Sequence, residues 1–402
     1  MRVIQLATGI SGGAGLAALR LNELLNAGGI NSKLFTRDSF RRFGGINNIG
    51  SNLLGKIVTF YQKSILTVDY DLVTPVSISQ GLVPHILRFK PDLIHIHNWY
   101  NQLSIKDILF LGQRVPLVFT LHDERLFTGG CHYTLGCENF ILGCRQCPAV
   151  KKNYKLISKS QVQLQASIRN IEKFGVISPS QWLINQAIKS DLLVRAKKYA
   201  VIPNMILSDF PELPIVRTRS KKDSVKFLFI AADLSAKVKD FRFALLALER
   251  FATATRSTVK INLQVVGKNL PQDVNIPDFL SLKWHGVLNQ NALSNLMLNS
   301  DAILISSKAE NSPNIIAESQ FRGLVVIARS VGGIPELIIH KKSGFLGGET
   351  VESFSRAIED FFQSDTLDEI RLSAYNFACN RWNKEKLFTE HLHFYTELLG
   401  IR

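Results

Sequence analysis

The chain has 402 residues, 46% of them hydrophobic and 20% charged, which is the composition of a folded globular protein with two or three domains. No apolar run approaches the ~18 residues that a membrane span needs, and the first residues are predicted to form a strand rather than a signal peptide. We therefore expect a cytoplasmic protein with reduced thiols. The net charge of +15 is uneven: residues 1–200 carry 24 Lys and Arg against 11 Asp and Glu, and residues 201–402 carry 24 against 22.

Short buried-type strands alternate with helical stretches along the whole chain. Strands are predicted at 3–7, 32–36, 93–97, 117–121 and 175–178, and then at 226–232, 260–266, 302–306 and 324–328. Helices are predicted at 14–27, 241–254, 291–299, 313–322 and 351–364. This alternation is typical of doubly wound parallel sheets, which bind ligands beyond the carboxyl ends of their strands.

A domain boundary is predicted near Pro203, because residues 208–224 are rich in proline, serine and lysine, as connectors are. The predicted domains are 1–203 and 204–380. A terminal helix is predicted within 381–402.

A glycine pair follows the first predicted strand. Gly13 opens a loose G-x-G-x-x-A pattern, as in dinucleotide-binding proteins, but it comes six residues after the strand ends at Ala7. That loop is too long for the NAD pattern. Gly12 and Gly13 fit better as a loop that contacts a phosphate group or an acceptor substrate.

Two glutamates, Glu310 and Glu318, flank an Asn-Ser-Pro break after a predicted strand. Ser312 is predicted to be the N-cap of the next helix and Pro313 its first residue. The free N–H groups at the start of that helix would bind an anion. A second strand and glycine turn, with Gly332 and Gly333, follow it. A ligand with a central anion and hydroxyls at both ends suits this arrangement, and a nucleotide sugar is such a ligand.

With these motifs in view, the chain resembles a family 4 glycosyltransferase. The resemblance lies in residues 310–318, 332–333, 343–346 (SGFL), 284–287 (WHGV), 201–204 (VIPN), 8–14 (TGISGGA), 92–97 (DLIHIH) and 120–123 (TLHD). The segment TGGCHY at 128–133 is similar to a branch found in bacterial surface-polysaccharide synthesis. The resemblance implies an α/β GT-B fold, with two Rossmann-like domains facing each other across a cleft.

The resemblance also implies an activity. A sugar would pass from a nucleotide-diphosphate donor, bound by the second domain, to a saccharide acceptor, expected to be lipid-linked and bound by the first. Anomeric configuration would be retained, and catalysis would need no cofactor. The expected place is the inner face of the cell membrane, with the protein bound peripherally.

The same resemblance assigns site residues. Glu318 would bind the ribose and Glu310 the sugar, while backbone groups of the remaining donor residues would meet sugar and phosphate: Asn311, Ser312, Pro313 (which lacks an N–H), Asn314, Gly332 and Gly333. Lys239 stands at the family's lysine position, with Lys237 beside it. The family's arginine and both glycines are missing from the loop at 231–240.

His122 follows a predicted buried strand and would touch the donor sugar or the incoming hydroxyl. The loop that begins with His97, Asn98 and Trp99 would line the acceptor site. His97 and His95 alternate along one strand, so both point to one face, and His95 is expected to be core.

The basic first half predicts an anionic partner. A membrane surface that carries a lipid-linked diphosphate is one candidate, and nucleic acid is another, although no helix-turn-helix or aromatic RNA-binding signature is present. Residues 37–63 and 151–159 are candidate membrane-facing segments. A helix packed on its own domain explains the first of these equally well.

Four of the five cysteines lie within seventeen residues, in a loop at 128–148. Their spacing is C-x5-C-x6-C-x2-C, and four thiolates can close a tetrahedral structural zinc site. The candidate ligands are Cys131, Cys137, Cys144 and Cys147. The alternatives are four reduced thiols in a tight loop or a labile disulfide pair.

Two other functions compete with transfer. The altered loop at 231–240 suggests a catalytically weakened homologue that acts as a binding or scaffold subunit. A sugar-nucleotide epimerase of the same fold would form no sugar–acceptor product and would give the basic first half no evident purpose.

Overall fold

The structure is a computed structural model, and it describes residues 1–10, 12–36, 73–79, 81–150, 154–206, 224–255, 259–271 and 276–401, together with Ile57 and Phe60. The chain divides into two compact units, residues 1–205 with 384–402, and residues 206–383. Most of the candidate membrane segment at 37–63, part of that at 151–159 and all but the last residue of the predicted connector at 208–224 lie outside the described residues.

The first unit is built on a parallel sheet in the order β2-β1-β3-β4-β5-β6. Its strands are β1 Arg2–Leu6, β2 Asn31–Phe35, β3 Leu93–Ile96, β4 Leu117–Thr120, β5 Phe174–Ser178 and β6 Lys198–Val201. Its helices are α1 Gly12–Ala27, α2 Val83–Arg88, α3 Ile105–Gly112, α4 Tyr154–Arg169 and α5 Gln181–Lys189, with 3-10 turns at Asn139–Leu142 and Leu192–Arg195. Strands β3, β4 and β5 are buried along their whole length, as expected when helices cover both faces of a sheet.

The last described helix, α11 (Lys384–Leu399), belongs to this first unit. Glycines make room for its aromatic rings: a Cβ on Gly28 would lie 2.2 Å from the ring of Phe388, and one on Gly175 would lie 2.7 Å from that of Phe394. The hydroxyl of Tyr395 lies 2.6 Å from His95 Nδ1. The chain therefore returns to complete the core of its first unit.

The second unit is built on another parallel sheet, in the order β12-β11-β10-β7-β8-β9. Its strands are β7 Ser224–Asp233, β8 Lys260–Lys268, β9 Leu280–Trp284, β10 Ala302–Ile305, β11 Val325–Arg329 and β12 Phe345–Gly347. Its helices are α6 Phe241–Ala254, α7 Gln290–Leu298, α8 Asn314–Gln320, α9 Val351–Gln363 and α10 Leu367–Arg381, with a 3-10 turn at Ile334–Glu336. The strand order reverses between β7 and β10, and ligands bind at such a switch point in this kind of sheet.

The nine predicted strands are present, each within two residues of its predicted ends. The pattern missed β6, β9 and β12, which lie at sheet edges. Strand β6 has no fully buried residue, β9 has one, and β12 is only three residues long, so none carries a buried apolar run. None of the helices in the described part of the chain is long and apolar enough to cross a membrane.

Candidate functional site

Lys239 and Glu310 meet at the switch point of the second sheet. Lys239 lies in the loop after β7, and Glu310 lies in the loop after β10. The Lys239 Nζ is 2.5 Å from Glu310 Oε1, and Ser307 donates its hydroxyl to the same oxygen at 2.8 Å. Glu310 is buried, whereas a third of the Lys239 side chain stays exposed. The carboxylate thus holds a cation at the surface of the unit.

The second glycine turn packs directly on this pair. Gly332 has a φ of +57°, and a Cβ there would lie 2.0 Å from the carbonyl oxygen of Glu310. The N–H of Gly333 donates to that same oxygen at 2.9 Å. Only glycine fits at 332, because any side chain would push the turn away from Glu310.

The helix that lies between Glu310 and Gly332 in the chain, α8, begins one residue later than predicted. Pro313, not Ser312, occupies the N-cap position, and α8 runs from Asn314 to Gln320 rather than from 313 to 322. Pro313 has an extended ψ of 119°, so it lies outside the helix, and no side chain caps the first turn. Glu318 is half-buried within α8, and Asn311 is buried before it.

The two candidate lysines differ in their surroundings. Lys237 is exposed and lines a surface cavity together with Asp240 and Lys308. Lys239 is the lysine that is bonded to Glu310. Lys239 thus contacts the predicted sugar-binding glutamate, and the roles of both lysines stay predictions.

Histidines form the corresponding centre of the first unit. His97 follows β3 and His122 follows β4, and His97 Nδ1 lies 3.0 Å from His122 Nε2. The other nitrogen of His97 is 2.8 Å from Gln5 Oε1, an acceptor, which assigns the His97 proton to Nε2. His122 Nε2 then donates to His97. His95 is buried as predicted and stacks on His97 with ring centroids 4.2 Å apart.

This histidine cluster is electrically neutral at ordinary pH. Burial lowers the pKa of His122 to about 4, an effect that the nearby Asp123 carboxylate partly opposes. Burial also lowers the pKa of His97 well below its usual value, and the neighbouring histidines add to this. A neutral imidazole can accept a hydrogen bond from a hydroxyl group without adding charge to the site.

A small pocket opens beside His122. It is lined by His97, Asn98, Trp99, Tyr100, Thr120, Leu121, His122, Asp123, Arg125 and Leu126. The predicted acceptor residues His97, Asn98 and Trp99 are therefore brought together with His122, although Trp99 and His97 are largely buried.

Sequence reasoning missed Arg125 and Gln5. The Arg125 guanidinium pairs with Asp123 at 2.7 Å and stacks over the Tyr100 ring at 4.7 Å. The one sequence signal for Arg125 was its position two residues after Asp123. Gln5 lies inside β1 and gave no signal at all.

Gly12 and Gly13 lie at the start of α1 rather than in a free loop, because the helix begins two residues before its predicted start. Among the described residues, no atom lies within 4 Å of a Cβ added at either glycine. Their role as a phosphate or acceptor loop stays a prediction.

The four clustered cysteines are free thiols. Burial raises the pKa of Cys144 to about 11 and raises that of Cys131 well above its usual value, with the neighbouring cysteines adding to the shift in both. Within the described ranges, no group of three or more His, Cys, Asp or Glu side chains is placed to hold a metal ion. As placed, the thiols do not fit a closed zinc site, and zinc binding stays a prediction.

Two family models match the chain in succession. The model of glycosyltransferase family 4 matches residues 11–210, and the model of glycosyl transferases group 1 matches residues 215–377. The chain is also similar to WcaC of Escherichia coli (strain K12), a protein named as a colanic acid biosynthesis glycosyl transferase. The two are 27% identical over 341 residues, which covers 77% of each chain.

Solved structures share the fold. Sucrose-phosphate synthase (tll1590) from Thermosynechococcus elongatus matches with a TM-score of 0.65 at 15% identity, over 99% of both chains. Anabaena Alr3699/HepE, solved in complex with UDP-glucose, matches with a TM-score of 0.61 at 17% identity, over 99% of this chain and 100% of that one. The resemblance found in the sequence is confirmed: the chain belongs to the family 4 glycosyltransferases and has the GT-B fold.

Proposed function

We propose that this glycosyltransferase moves a sugar from a nucleotide-diphosphate donor to a saccharide in surface polysaccharide biosynthesis. The observation that carries the proposal is the Lys239–Glu310 pair, held at the switch point of the second sheet under the Gly332 turn. The similarity to WcaC supports the polysaccharide assignment, and the UDP-glucose complex of the HepE fold relative supports a nucleotide-sugar donor.

The proposed chemistry follows from where charge develops. As the sugar–oxygen bond breaks, negative charge builds on the diphosphate, and preorganised cations and backbone N–H groups stabilise it. Lys239 supplies the cation, and the backbone near Gly332 and Asn314 supplies N–H groups. Glu318 would accept hydrogen bonds from the ribose hydroxyls. No step uses a metal or another cofactor.

Retention of configuration is proposed to occur by front-side displacement, in which the acceptor hydroxyl attacks on the face that the diphosphate leaves. Such a step needs no protein nucleophile. Neutral His122 can hold a sugar hydroxyl by a hydrogen bond, and Asn98 and Trp99 line the pocket beside it. That pocket is the proposed acceptor side.

The experiment combines donor binding with turnover. Each UDP-, GDP-, ADP- and dTDP-sugar is screened by thermal shift, and its hydrolysis or transfer is then measured. A donor at 100 times its Kd should stabilise the protein by about 2.7 kcal/mol. Glu318→Ala should weaken donor binding by roughly 10- to 100-fold, because two charge-assisted hydrogen bonds are lost.

The matched control is Glu369→Ala, which removes an exposed glutamate of α10 and should leave both signals unchanged. Binding without any turnover would favour the scaffold alternative. If no nucleotide sugar shifts the unfolding temperature, the proposal fails.

The acceptor is proposed to be lipid-linked, and the first unit to bind the inner face of the cell membrane. The 3-10 turn Asn139–Leu142 carries two apolar side chains at the surface, Ile141 at 46% and Leu142 at 74% exposure. Exposed Arg145 follows in the chain, and Lys189 lies beside the turn, since it pairs with Glu138 at 2.9 Å. Apolar tips flanked by cations suit an anionic lipid surface.

Leu142→Ser is expected to reduce co-sedimentation with vesicles of anionic phospholipid by roughly tenfold, because one buried leucine side chain contributes about 1.5–3 kcal/mol. Leu372→Ser is the control, since Leu372 is also an exposed leucine, at 50% exposure, but lies on α10 of the second unit. The proposed surface would be contradicted if both variants lost vesicle binding equally. It would also be contradicted if the protein bound neutral vesicles at high salt as well as it binds anionic ones.

A further inference from the structure

The backbone of Asp240 adopts a conformation that glycine prefers. Asp240 immediately follows Lys239 and is the N-cap of α6, with φ 51° and ψ 51°, in the left-handed region. Residues with a Cβ occupy this region at a cost, although aspartate tolerates it better than most. No side-chain hydrogen bond caps the helix here, so capping does not explain the conformation.

The Asp240 side chain instead contacts two cations, Arg329 at the end of β11 and Lys308 in the loop after β10. Arg329 Nη1 donates to Asp240 Oδ2 at 3.3 Å, and Lys308 Nζ lies 3.7 Å from the same oxygen. The Asp240 side chain is 18% exposed and that of Arg329 is 11% exposed. A charge pair this shielded from water is stronger than one at the open surface.

Arg329 is itself held rigidly. It is the last residue of β11, where it pairs with Gly347 of β12. Its Nη2 donates to the carbonyl of Glu349 at 2.8 Å, and its guanidinium lies over the Phe243 ring at 4.3 Å. The sheet therefore gives the Asp240 carboxylate a fixed anchor.

The backbone around Asp240 is fixed by further bonds. Ser306 donates its hydroxyl to the carbonyls of both Lys239, at 3.0 Å, and Asp240, at 2.9 Å. The N–H of Lys308 donates to the carbonyl of Val238 at 2.8 Å. Three hydrogen bonds therefore hold the backbone carbonyls of residues 238–240, where the left-handed residue directly follows Lys239.

We propose that Asp240 and Arg329 are positioning residues for Lys239: the anchored carboxylate holds a left-handed turn that glycine would adopt unaided. This inference rests on the proposed role of Lys239 in donor binding. It also accounts for a left-handed turn in the loop at 231–240, which lacks the glycines that the family resemblance leads us to expect there.

The test is a rescue. Arg329→Met frees the Asp240 carboxylate and should lower kcat for sugar transfer by roughly 10- to 100-fold through misplacement of Lys239. Asp240→Gly should stay within about threefold of the wild type, since glycine needs no anchor. The double variant Asp240→Gly/Arg329→Met should recover most of the activity that Arg329→Met loses. A double variant as poor as Arg329→Met would overturn the proposal.

A second readout needs no activity. The rate at which an amine-acylating reagent labels Lys239 is followed by mass spectrometry, with exposed Lys159 as the internal reference. Arg329→Met should raise Lys239 labelling several-fold, and the added Asp240→Gly should restore it. If Arg329→Met does not fold, Asp240→Ala against Asp240→Gly makes the same comparison, and equal labelling of these two would refute the idea. If the protein turns over no nucleotide sugar but Lys239 shows this labelling pattern, the proposed function is disproved while the positioning of Lys239 by Asp240 and Arg329 is supported.

Discussion

Replacing Lys239 with methionine is expected to lower kcat for sugar transfer by roughly 10²- to 10³-fold, the loss typical when one preorganised group facing a developing anion is removed. Lys239 is the cation bonded to Glu310 at the switch point of the second sheet. Methionine keeps much of the side-chain volume and removes the charge. The measurement is steady-state kinetics with a donor identified by the screen.

The control is its exposed neighbour. Lys237→Met should change kcat less than about threefold, because Lys237 is exposed and water and salt screen its charge. In addition, Lys239→Met removes one of the two side-chain donors that the described residues offer to the buried Glu310 carboxylate, and Ser307 is the other. Part of the effect of Lys239→Met is therefore structural. Glu310→Gln added to Lys239→Met should therefore recover thermal stability but not turnover. If Lys237→Met loses more activity than Lys239→Met, the catalytic cation is Lys237 and the assignment to Lys239 is wrong.

The first unit is expected to lose stability steeply as the pH falls from about 6.5 to about 4. Burial lowers the pKa of His122 and of His391 to about 4, and it lowers those of His95 and His97 well below the usual value. In this window the unfolded chain binds protons that the folded chain does not. Each such histidine therefore removes ~1.4 kcal/mol of unfolding free energy per pH unit.

One carboxyl group acts in the opposite direction. Burial raises the pKa of Glu124 to about 7, so the folded state holds that proton more tightly and gains stability as the pH falls from 7 to about 4.5. It offsets one histidine of the four. The remaining slope is about 4 kcal/mol per pH unit, which within two units approaches the whole stability of a typical domain.

Chemical denaturation between pH 4.5 and 7.5 measures this slope directly. His391→Gln removes one buried histidine of α11 and should reduce the proton uptake on unfolding by about one in the middle of the window. His393→Gln is the matched control, because His393 lies in the same helix and is exposed at 66% of its side chain. A slope that is flat between pH 6.5 and 5 would show that these histidines are not held neutral.

What the sequence predicted well was local or periodic. The strands with continuous apolar runs were found because burial on both faces leaves a pattern in the chain itself. The neighbourhood of Glu310 and Gly332 was foreseen because each follows a strand, and parallel strands end at one edge of the sheet. The N-cap of α8 was misplaced because Ser312 and Pro313 both favour a helix start, and the extended ψ of Pro313 decides between them.

What the sequence left out depends on contacts between distant segments. The sequence pattern predicts only that Arg329 lies at the end of a buried strand. Nothing near Arg329 in the chain indicates that it pairs with Asp240, which is 89 residues away. Gln5 and His97 are 92 residues apart. Such pairs are set by the register of the sheet, which a single sequence does not specify.

The return of α11 to the first unit bears on how the protein folds during synthesis. Amino-terminal domains generally fold first on the ribosome, at ~5–20 residues added per second. Here the surfaces around Gly28 and Gly175 receive their aromatic partners only after residues 206–383 have been translated. The nascent first unit must therefore wait on the order of 10–35 s with this apolar seam uncovered, a period in which chaperones have access to it.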